Sequence, residues 1–364
     1  MKRVLFLTNI PSPYRIRFFE ALGKDLDLTV LFHDSKKAHS GRDASWFASG
    51  NGAFRQVQLS RCVLTKGEDS LCLDVIDWLK KPFDHIIICG YSSPTAMLAM
   101  AYLRMRKIPF WMEVDGGLVR AESKYKYLFK KTLVSAASGW FSSGKKTTEY
   151  LLHYGAREEN IREYPFSSLQ ESDILGSPVS PEEKESLRQK LGVRETYMLL
   201  SIGQFIPRKG FDVLLRAAKT LNRDIGIYIV GGQPTEEYLQ LRKELDLPNV
   251  HFVGFQSKEA LAEFYKAADV FVLPTREDIW GLVINEAMAY GLPVITTDRC
   301  VAGLELVENA VNGYIVPVED ADALASAVRK VLTGDLQKMA ESSLGKIRPY
   351  TIESMAKTHA KILQ

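Results

Sequence analysis

The most constraining feature of this chain is a series of short apolar runs that lack polar–apolar alternation. Residues 4–8, 28–32, 85–89, 110–114 and 139–142 are rich in Val, Ile, Leu and Phe. The pattern returns after residue 195 in 198–202, 225–230, 250–253, 270–273 and 294–296. A strand with one wet face alternates, whereas a strand covered on both faces does not. Each run is therefore predicted to be a strand of a parallel sheet sandwiched between helices. Helix-like segments separate the runs: 211–221; 235–245, with Thr235 as N-cap and Glu236 and Glu237 in its first turn; and 258–268, preceded by Ser257.

This alternation occurs on both sides of residues 170–195. The stretch Gly176-Ser177-Pro178-Val179-Ser180-Pro181-Glu182-Glu183 is turn-rich and polar and reads as a linker. A chain of 364 residues is long for one domain and suits two. The expected architecture is α/β: two doubly wound Rossmann-like domains, 1–175 and 176–345, with parallel sheets facing across a cleft. Ligands of such sheets bind beyond the carboxyl ends of the strands, so chemistry is sought in the loops that follow them.

The four cysteines, Cys62, Cys72, Cys89 and Cys300, form no C-x-x-C pair, and no disulfide framework or zinc site is expected. That pattern fits a reducing compartment. The first residues, Met1-Lys2-Arg3-Val4-Leu5-Phe6-Leu7, read as a buried strand rather than an export signal, and no run approaches the roughly 20 apolar residues of a membrane span. The net charge of +3 is unevenly spread, with the basic excess in residues 1–175. That excess suits an anionic partner such as a membrane surface, or is ordinary solvated charge. Nucleic acid is not expected, because the charge is modest and no binding motif is present.

The most informative segment runs from Pro274-Thr275-Arg276-Glu277-Asp278 through Trp280-Gly281-Leu282-Val283-Ile284-Asn285-Glu286 to Gly291-Leu292-Pro293-Val294. A strand ends at Pro274, an acidic loop follows, and Gly281 opens a helix that stops at Gly291. The amides of Gly281, Leu282 and Val283 at the helix start suit a diphosphate. Asp278 and Glu286 offer acceptors for sugar hydroxyls. A second segment, Ser201-Ile202-Gly203-Gln204-Phe205-Ile206-Pro207-Arg208-Lys209-Gly210, brings two cations to a helix start, where they oppose the helix dipole unless an anion binds.

Together these segments resemble the retaining GT-B glycosyltransferases, in particular glycosyltransferase family 4 (glycosyl transferases group 1). The resemblance is strong over about 195–364 and holds only in outline before that. It implies a GT-B fold, with a final segment, 346–364, crossing back to the first domain. In the family's E-x7-E signature the first acid contacts the donor sugar and the second binds ribose. Asp278 stands at the first position, replacing the usual Glu, with Glu277 beside it, and Glu286 stands at the second. In the Gly-Arg-x-x-x-x-Lys-Gly loop of the family, Gly203 and Lys209 match, Gln204 replaces the Arg, and Arg208 offers a second charge. The resemblance also assigns Gly231, Val253 and Phe255 to the nucleotide, although Phe252 and Phe255 equally suit core packing.

In the first domain many relatives carry a glycine-rich loop after strand one; here Pro13, Tyr14 and Arg15 stand on the acceptor side. Arg15 and Arg17 suit anionic acceptor groups or plain helix-surface charge. Asp115, before Gly116-Gly117, occupies the position of a family His, and reads either as a catalytic carboxylate or as a common Asp-Gly turn. Residues 123–131, basic and aromatic, read as a membrane-resting helix or a covering helix.

The activity implied is transfer, with retention, of a sugar from a nucleotide-diphosphate sugar to a glycan or polyprenyl-linked saccharide in bacterial surface polysaccharide synthesis. The expected donor is a UDP-sugar. No cofactor or metal is expected: Asp25-Leu26-Asp27 and Asp320-Ala321-Asp322 are not beside strand ends in the manner of a metal motif. The expected location is the cytoplasm, peripheral at the inner face of the plasma membrane. A GT-B nucleotide-sugar epimerase and a catalytically silent GT-B binding or scaffold module are the alternatives.

Overall fold

The computed structural model describes residues 1–33, 49–66 and 69–364. Backbone contacts divide the chain into two units: Met1–Gln170 with Tyr350–Gln364, and Glu171–Pro349.

In the first unit the strands are β1 (Arg3–Thr8), β2 (Asp27–Phe32), β3 (Arg55–Gln58), β4 (Cys62–Lys66), β5 (Asp69–Cys72), β6 (His85–Cys89), β7 (Trp111–Val114), β8 (Gly139–Ser142) and β9 (Ile161–Glu163). Among the described residues, one sheet has the order β3-β2-β1-β6-β7-β8-β9, and its pairs are parallel. The central strands are buried nearly end to end, which is why they lack alternation. β3 and β9 lie at the sheet edges and are largely exposed and polar, so their sequences carry no apolar run.

The helices of this unit are α1 (Pro13–Leu22), α2 (Val75–Leu79), α3 (Pro94–Met105), α4 (Lys124–Val134) and α5 (Lys145–His153). α4 covers the core only in part: Tyr127 packs against Tyr154 and the core, while other apolar residues stay outside. Val134 is its buried residue, while Tyr125 (86%), Leu128 (47%) and Phe129 (54%) are exposed.

The expectation of unpaired cysteines is overturned at one place. β4 and β5 form an antiparallel hairpin whose register sets Cys62 opposite Cys72, and the two are disulfide-bonded. The pairing comes from hairpin register, which residue spacing alone does not reveal. Cys89 and Cys300 are free.

The second unit begins before the expected linker ends. Ser180 caps α6 (Pro181–Leu191) by accepting from the Glu183 amide at 3.2 Å. Lys184 and Arg188 of α6 both bind the buried Asp269, Lys184 at 3.1 Å, so the latter half of the linker segment is a packed helix. The further elements are β10 (Tyr197–Ile202), α7 (Phe211–Ala218), β11 (Ile225–Val230), α8 (Glu236–Glu244), β12 (Val250–Val253), α9 (Lys258–Ala267), β13 (Val270–Leu273), α10 (Leu282–Ala289), β14 (Val294–Thr297), α11 (Val301–Leu306), β15 (Gly313–Val316), α12 (Ala321–Leu332) and α13 (Leu336–Ile347). The sheet order is β12-β11-β10-β13-β14-β15, all parallel, with the direction of winding reversing between β10 and β13. Ser257 caps α9 through the Ala260 amide, as expected, whereas the Thr235 side chain makes no capping bond to α8.

The chain then returns to the first unit as α14 (Ile352–Leu363). Its buried residues Ile352, Met355, Ala356, His359, Ala360 and Leu363 recur at helical spacing. α14 packs against α1, where the His359 ring meets Phe18 edge-on at 5.0 Å.

Candidate functional site

In an open parallel sheet, the loops that leave adjacent strands in opposite directions open a crevice at the carboxyl ends. In the second unit those strands are β10 and β13, and the basic loop and the acidic loop follow them directly. The two loops are fastened together. The Arg276 amide donates to the Arg208 carbonyl at 2.8 Å, and the Thr275 hydroxyl donates to the same carbonyl at 2.9 Å. Gly210, at φ +67°, lies so close to the Pro274 carbonyl that any Cβ would collide with it.

This fastening sets the charges. Lys209 Nζ is 2.6 Å from Asp278 Oδ2, and Arg208 Nη1 is 3.3 Å from Asp278 Oδ1. Arg208 also donates to the Glu277 carbonyl at 2.9 Å. The sequence reading left both cations to a ligand; in the structure they share the Asp278 carboxylate, because the fastened loops bring all three together. Two cations on one carboxylate still leave an excess positive charge. Asp278 is itself fixed through its backbone, its amide donating to the Arg299 carbonyl at 2.9 Å and its carbonyl accepting from the Val301 amide at 3.2 Å.

Gly281 caps α10 at φ +102°, and a Cβ there would sit 2.8 Å from Cys300 Sγ. The first amides of a helix have no partner within it, so those at Leu282 and Val283 begin α10 as donors. One turn further on, Glu286 accepts from the Tyr265 hydroxyl at 2.9 Å. Burial raises the Glu286 carboxyl above the ordinary carboxylate range, against the opposing effect of the Tyr265 hydrogen bond. Tyr265, from α9, is stacked on Tyr290 with centroids 5.1 Å apart. The sequence reading missed Tyr265: it lies 21 residues from Glu286, and only the packing of α9 against this loop unites them.

On the other side of β10, Gly203 and Gly231 end adjacent strands. A Cβ on Gly231 would collide with the Gly203 carbonyl, so glycine lets these turns pack backbone to backbone. The Val253 carbonyl accepts from the Gly231 amide at 3.0 Å and so belongs to this packing. Phe255 is 74% exposed, whereas Phe252 packs on Phe205 at 5.4 Å; core packing accounts for Phe252 alone. Gln204 is exposed.

The remaining predicted residues gather in the first unit. The loop after β1 is short, since Pro13 takes the first position of α1, where a missing amide costs nothing. Tyr14 is half-buried against Phe166. Arg15 points inward instead of toward an anionic acceptor. Its Nη1 binds the buried Glu113, and its Nη2 binds Asp115 at 2.6 and 2.8 Å. A buried guanidinium needs carboxylates around it, and the end of β7 supplies two. Asp115 also accepts from the Tyr164 hydroxyl at 3.0 Å, and its side chain remains 32% exposed. Burial and the neighbouring Glu113 raise the Asp115 carboxyl, with Arg15 opposing them.

Comparison with known proteins agrees with this division. Residues 183–344, nearly all of the second unit, match the family model for glycosyl transferases group 1. The uncharacterized glycosyltransferase MJ1607 of Methanocaldococcus jannaschii is 36% identical over 161 residues, which cover 43% of this chain and 41% of that protein. The lipopolysaccharide glucosyltransferase WaaG of Escherichia coli is 26% identical over 236 residues, 62% of each. The chain thus spans about two fifths of the first relative's length and about three fifths of the second's. A crystal structure of Anabaena HepE in complex with UDP-glucose superposes with a TM-score of 0.72, covering 100% of this chain and 99% of that one at 18% identity. The whole chain therefore has the GT-B fold, and its second unit is similar in sequence to the glycosyl transferases group 1 family.

Proposed function

We propose that this protein is a retaining glycosyltransferase that moves a sugar from a nucleotide-diphosphate sugar, most simply a UDP-sugar, to a glycan or polyprenyl-linked saccharide. The observation that carries the reading is the Arg208–Lys209–Asp278 cluster at the β10/β13 crevice, followed by the α10 amides and Glu286. Two cations and a helix start form an anion site, and the carboxylates beside it suit the hydroxyls of a sugar and a ribose. HepE, of the same fold, is a protein crystallised with UDP-glucose.

In this mechanism the diphosphate takes a share of Lys209 and Arg208, and Asp278, still held by Lys209, accepts from the donor sugar. Glu286 accepts from the ribose. The acceptor oxygen forms a bond to the anomeric carbon as the bond from that carbon to the diphosphate oxygen breaks. The hydroxyl proton passes to the departing diphosphate, so free nucleoside diphosphate is the second product. Lys209, Arg208 and the amides of Gly281, Leu282 and Val283 stabilise the charge that grows on the leaving group. No metal is required in this scheme.

The exposed face of α4 supports peripheral contact with the anionic inner face of a plasma membrane. Tyr125, Leu128 and Phe129 stand three and four residues apart, flanked by Lys124, Lys126 and Lys131. Polysaccharide built on a lipid carrier fits that location. Among the described residues no helix is long and apolar enough to cross a membrane.

The test is transfer by the purified protein. Incubation with UDP-sugars and a lipid-linked saccharide is expected to release UDP and give a product with the donor's anomeric configuration, unaffected by a chelator. Glu286→Ala is expected to abolish it with folding intact. Inverted product, or unchanged activity in that variant, would overturn the reading, and interconversion of the donor sugar without transfer would indicate an epimerase.

A further inference from the structure

The first unit holds a buried polar cluster that the transfer scheme does not use. Arg15 comes from α1, Glu113 and Asp115 from the end of β7, Tyr164 from the segment after β9, and His359 from α14. The side chains of Arg15 (4%), Glu113 (0%) and His359 (0%) are sealed from water; Asp115 alone reaches it. The His359 Nδ1 donates to the Met355 carbonyl at 2.9 Å, which turns Nε2 toward Glu113 Oε2 at 3.4 Å. The imidazole is stacked on Phe141 at 4.3 Å, which fixes its plane.

A buried cluster of this kind is a poor source of stability, because desolvation consumes most of the attraction between its charges. Its geometry has a direction. Every member except Asp115 is enclosed; Glu113 binds Arg15 and Arg15 binds Asp115, while His359 Nε2 lies near Glu113 Oε2 without a hydrogen bond. Of the two Asp115 oxygens, Oδ1 accepts from both Tyr164 and Arg15, whereas Oδ2, among the described residues, accepts from Arg15 alone. A carboxylate oxygen has two lone pairs, so Oδ2 retains one for a hydroxyl. Asp115 also stands at the carboxyl end of a central strand, where ligands of such sheets bind.

We propose that Arg15 is a positioning residue that clamps Asp115 so that Oδ2 meets a hydroxyl of the saccharide acceptor, with Glu113 and His359 holding Arg15 from behind. This rests on the transferase reading above. The groups facing Asp115 are Arg15 and Tyr14 from α1, Cys89 at the end of β6, Glu113 on β7 and Tyr164, with His359 of α14 acting through Glu113. Arg15 is the cation that favours the ionised form of Asp115, and ionised Asp115 is the form that accepts a hydrogen bond. Losing that cation raises the carboxyl further, so the acid limb of the rate profile moves to higher pH.

The experiment compares Arg15→Met, Arg15→Lys, Asp115→Asn and the Arg15→Met/Asp115→Asn double variant in the full chain. Circular dichroism and UDP-induced thermal shift establish that each folds and that the second unit still binds nucleotide. Arg15→Met is expected to lower kcat by about 100-fold, the order for a misplaced catalytic-site group. Donor KM should be unchanged and the acid limb shifted upward. Arg15→Lys, which keeps the charge and loses the fork, is expected to lose part of kcat with a smaller shift. The double variant should match Asp115→Asn alone, because Arg15 acts through Asp115. Independent losses in the double variant, or a kcat loss with no movement of the acid limb, would overturn the proposal. Should Arg15→Met not fold, Arg15→Lys and Asp115→Asn carry the same comparison. The 13C titration of the Asp115 carboxyl gives a readout free of turnover. An upward shift in the Arg15 variants supports the clamp even if the wild-type protein transfers no sugar, a result that would fault only the transferase reading. An unmoved titration would overturn the clamp.

Discussion

In the second unit two cations, Arg208 and Lys209, share one carboxylate, Asp278; in the first unit one cation, Arg15, is shared by two carboxylates, Glu113 and Asp115. Both clusters stand at the carboxyl ends of parallel sheets, yet their charge balance is opposite. The first-unit cluster is nearly enclosed, and the second-unit cluster opens progressively from Lys209 to Arg208. A local excess of cations suits a diphosphate, and an excess of carboxylate suits hydroxyl donors. The same fold thus builds sites of opposite polarity, and burial decides how strongly each charge depends on its partners.

The largest expected effect comes from the enclosed cluster. Glu113→Ala removes the carboxylate that faces both Arg15 and His359 and leaves a buried guanidinium with Asp115 alone. Breaking a buried pair by removing one member costs roughly 3–5 kcal/mol. Urea unfolding of the variant against wild type measures this. A loss below about 1 kcal/mol would mean that water reaches Arg15 and that the contrast between the two clusters is overstated.

Next in size is Lys209→Ala. Its ammonium is the more enclosed of the two cations and the one paired with Asp278 at 2.6 Å. If it stabilises a leaving diphosphate, kcat should fall about 100- to 1,000-fold, the range for removing a donor from a site of developing charge. Stability should change little, since the lost partner is a single, partly hydrated carboxylate. A variant that loses stability and keeps its turnover would make the second cluster structural like the first.

How far the sequence reveals these clusters follows from the same difference. The strands of the second unit are largely apolar, and β11, β12 and β13 match their predicted bounds. Lys209, Asp278 and Glu286 sit in loops and on a helix face, each within a recognisable string, although Lys209 and Asp278 are 69 residues apart. Arg15, Glu113 and His359 come from three distant elements, and each lies in an otherwise apolar or mixed segment. Nothing in those segments marks an inward-facing charge, and Arg15 reads either as a contact for an anionic acceptor or as helix-surface charge. Their meeting depends on α14 packing against α1. The Cys62–Cys72 bond was hidden for a related reason: the short β4–β5 hairpin has no periodic signal from which its register can be read.

Glu286 tests whether an acid in the second unit behaves like those in the first. Burial raises its carboxyl, so ionising it costs folding free energy. The sign follows from linkage. A group whose folded value is raised contributes stability below its unfolded value, about 4.3 for Glu, and that contribution is lost as pH rises through the raised value. Glu286→Gln, neutral and of like shape, is therefore expected to melt above wild type at pH 8 and to converge with it toward pH 4. The ionised form is the one that binds ribose hydroxyls well, so wild-type UDP affinity should weaken on acidification before ordinary carboxylates titrate. The Gln variant should bind UDP weakly at every pH. Calorimetric titration across pH 5–8 reads both, and a pH-independent wild type would remove Glu286 from nucleotide recognition.

The smallest effect is expected at Arg208, and it isolates exposure as the variable. Arg208 and Lys209 are adjacent and share Asp278, but the Arg208 side chain is 46% exposed against 13% for Lys209, and its ionic contact is longer, 3.3 against 2.6 Å. An exposed pair contributes about 0.2–1 kcal/mol and is screened by salt. Arg208→Ala should therefore weaken UDP binding by less than about 5-fold at 0.1 M salt, which is what 1 kcal/mol amounts to. At 0.5 M salt the difference from wild type should nearly vanish, while the Lys209→Ala difference persists because Lys209 itself is largely enclosed. A salt-resistant loss at Arg208 as large as that at Lys209 would mean that bound nucleotide encloses Arg208. Enclosure by the ligand, rather than exposure in the unliganded chain, would then govern the second cluster.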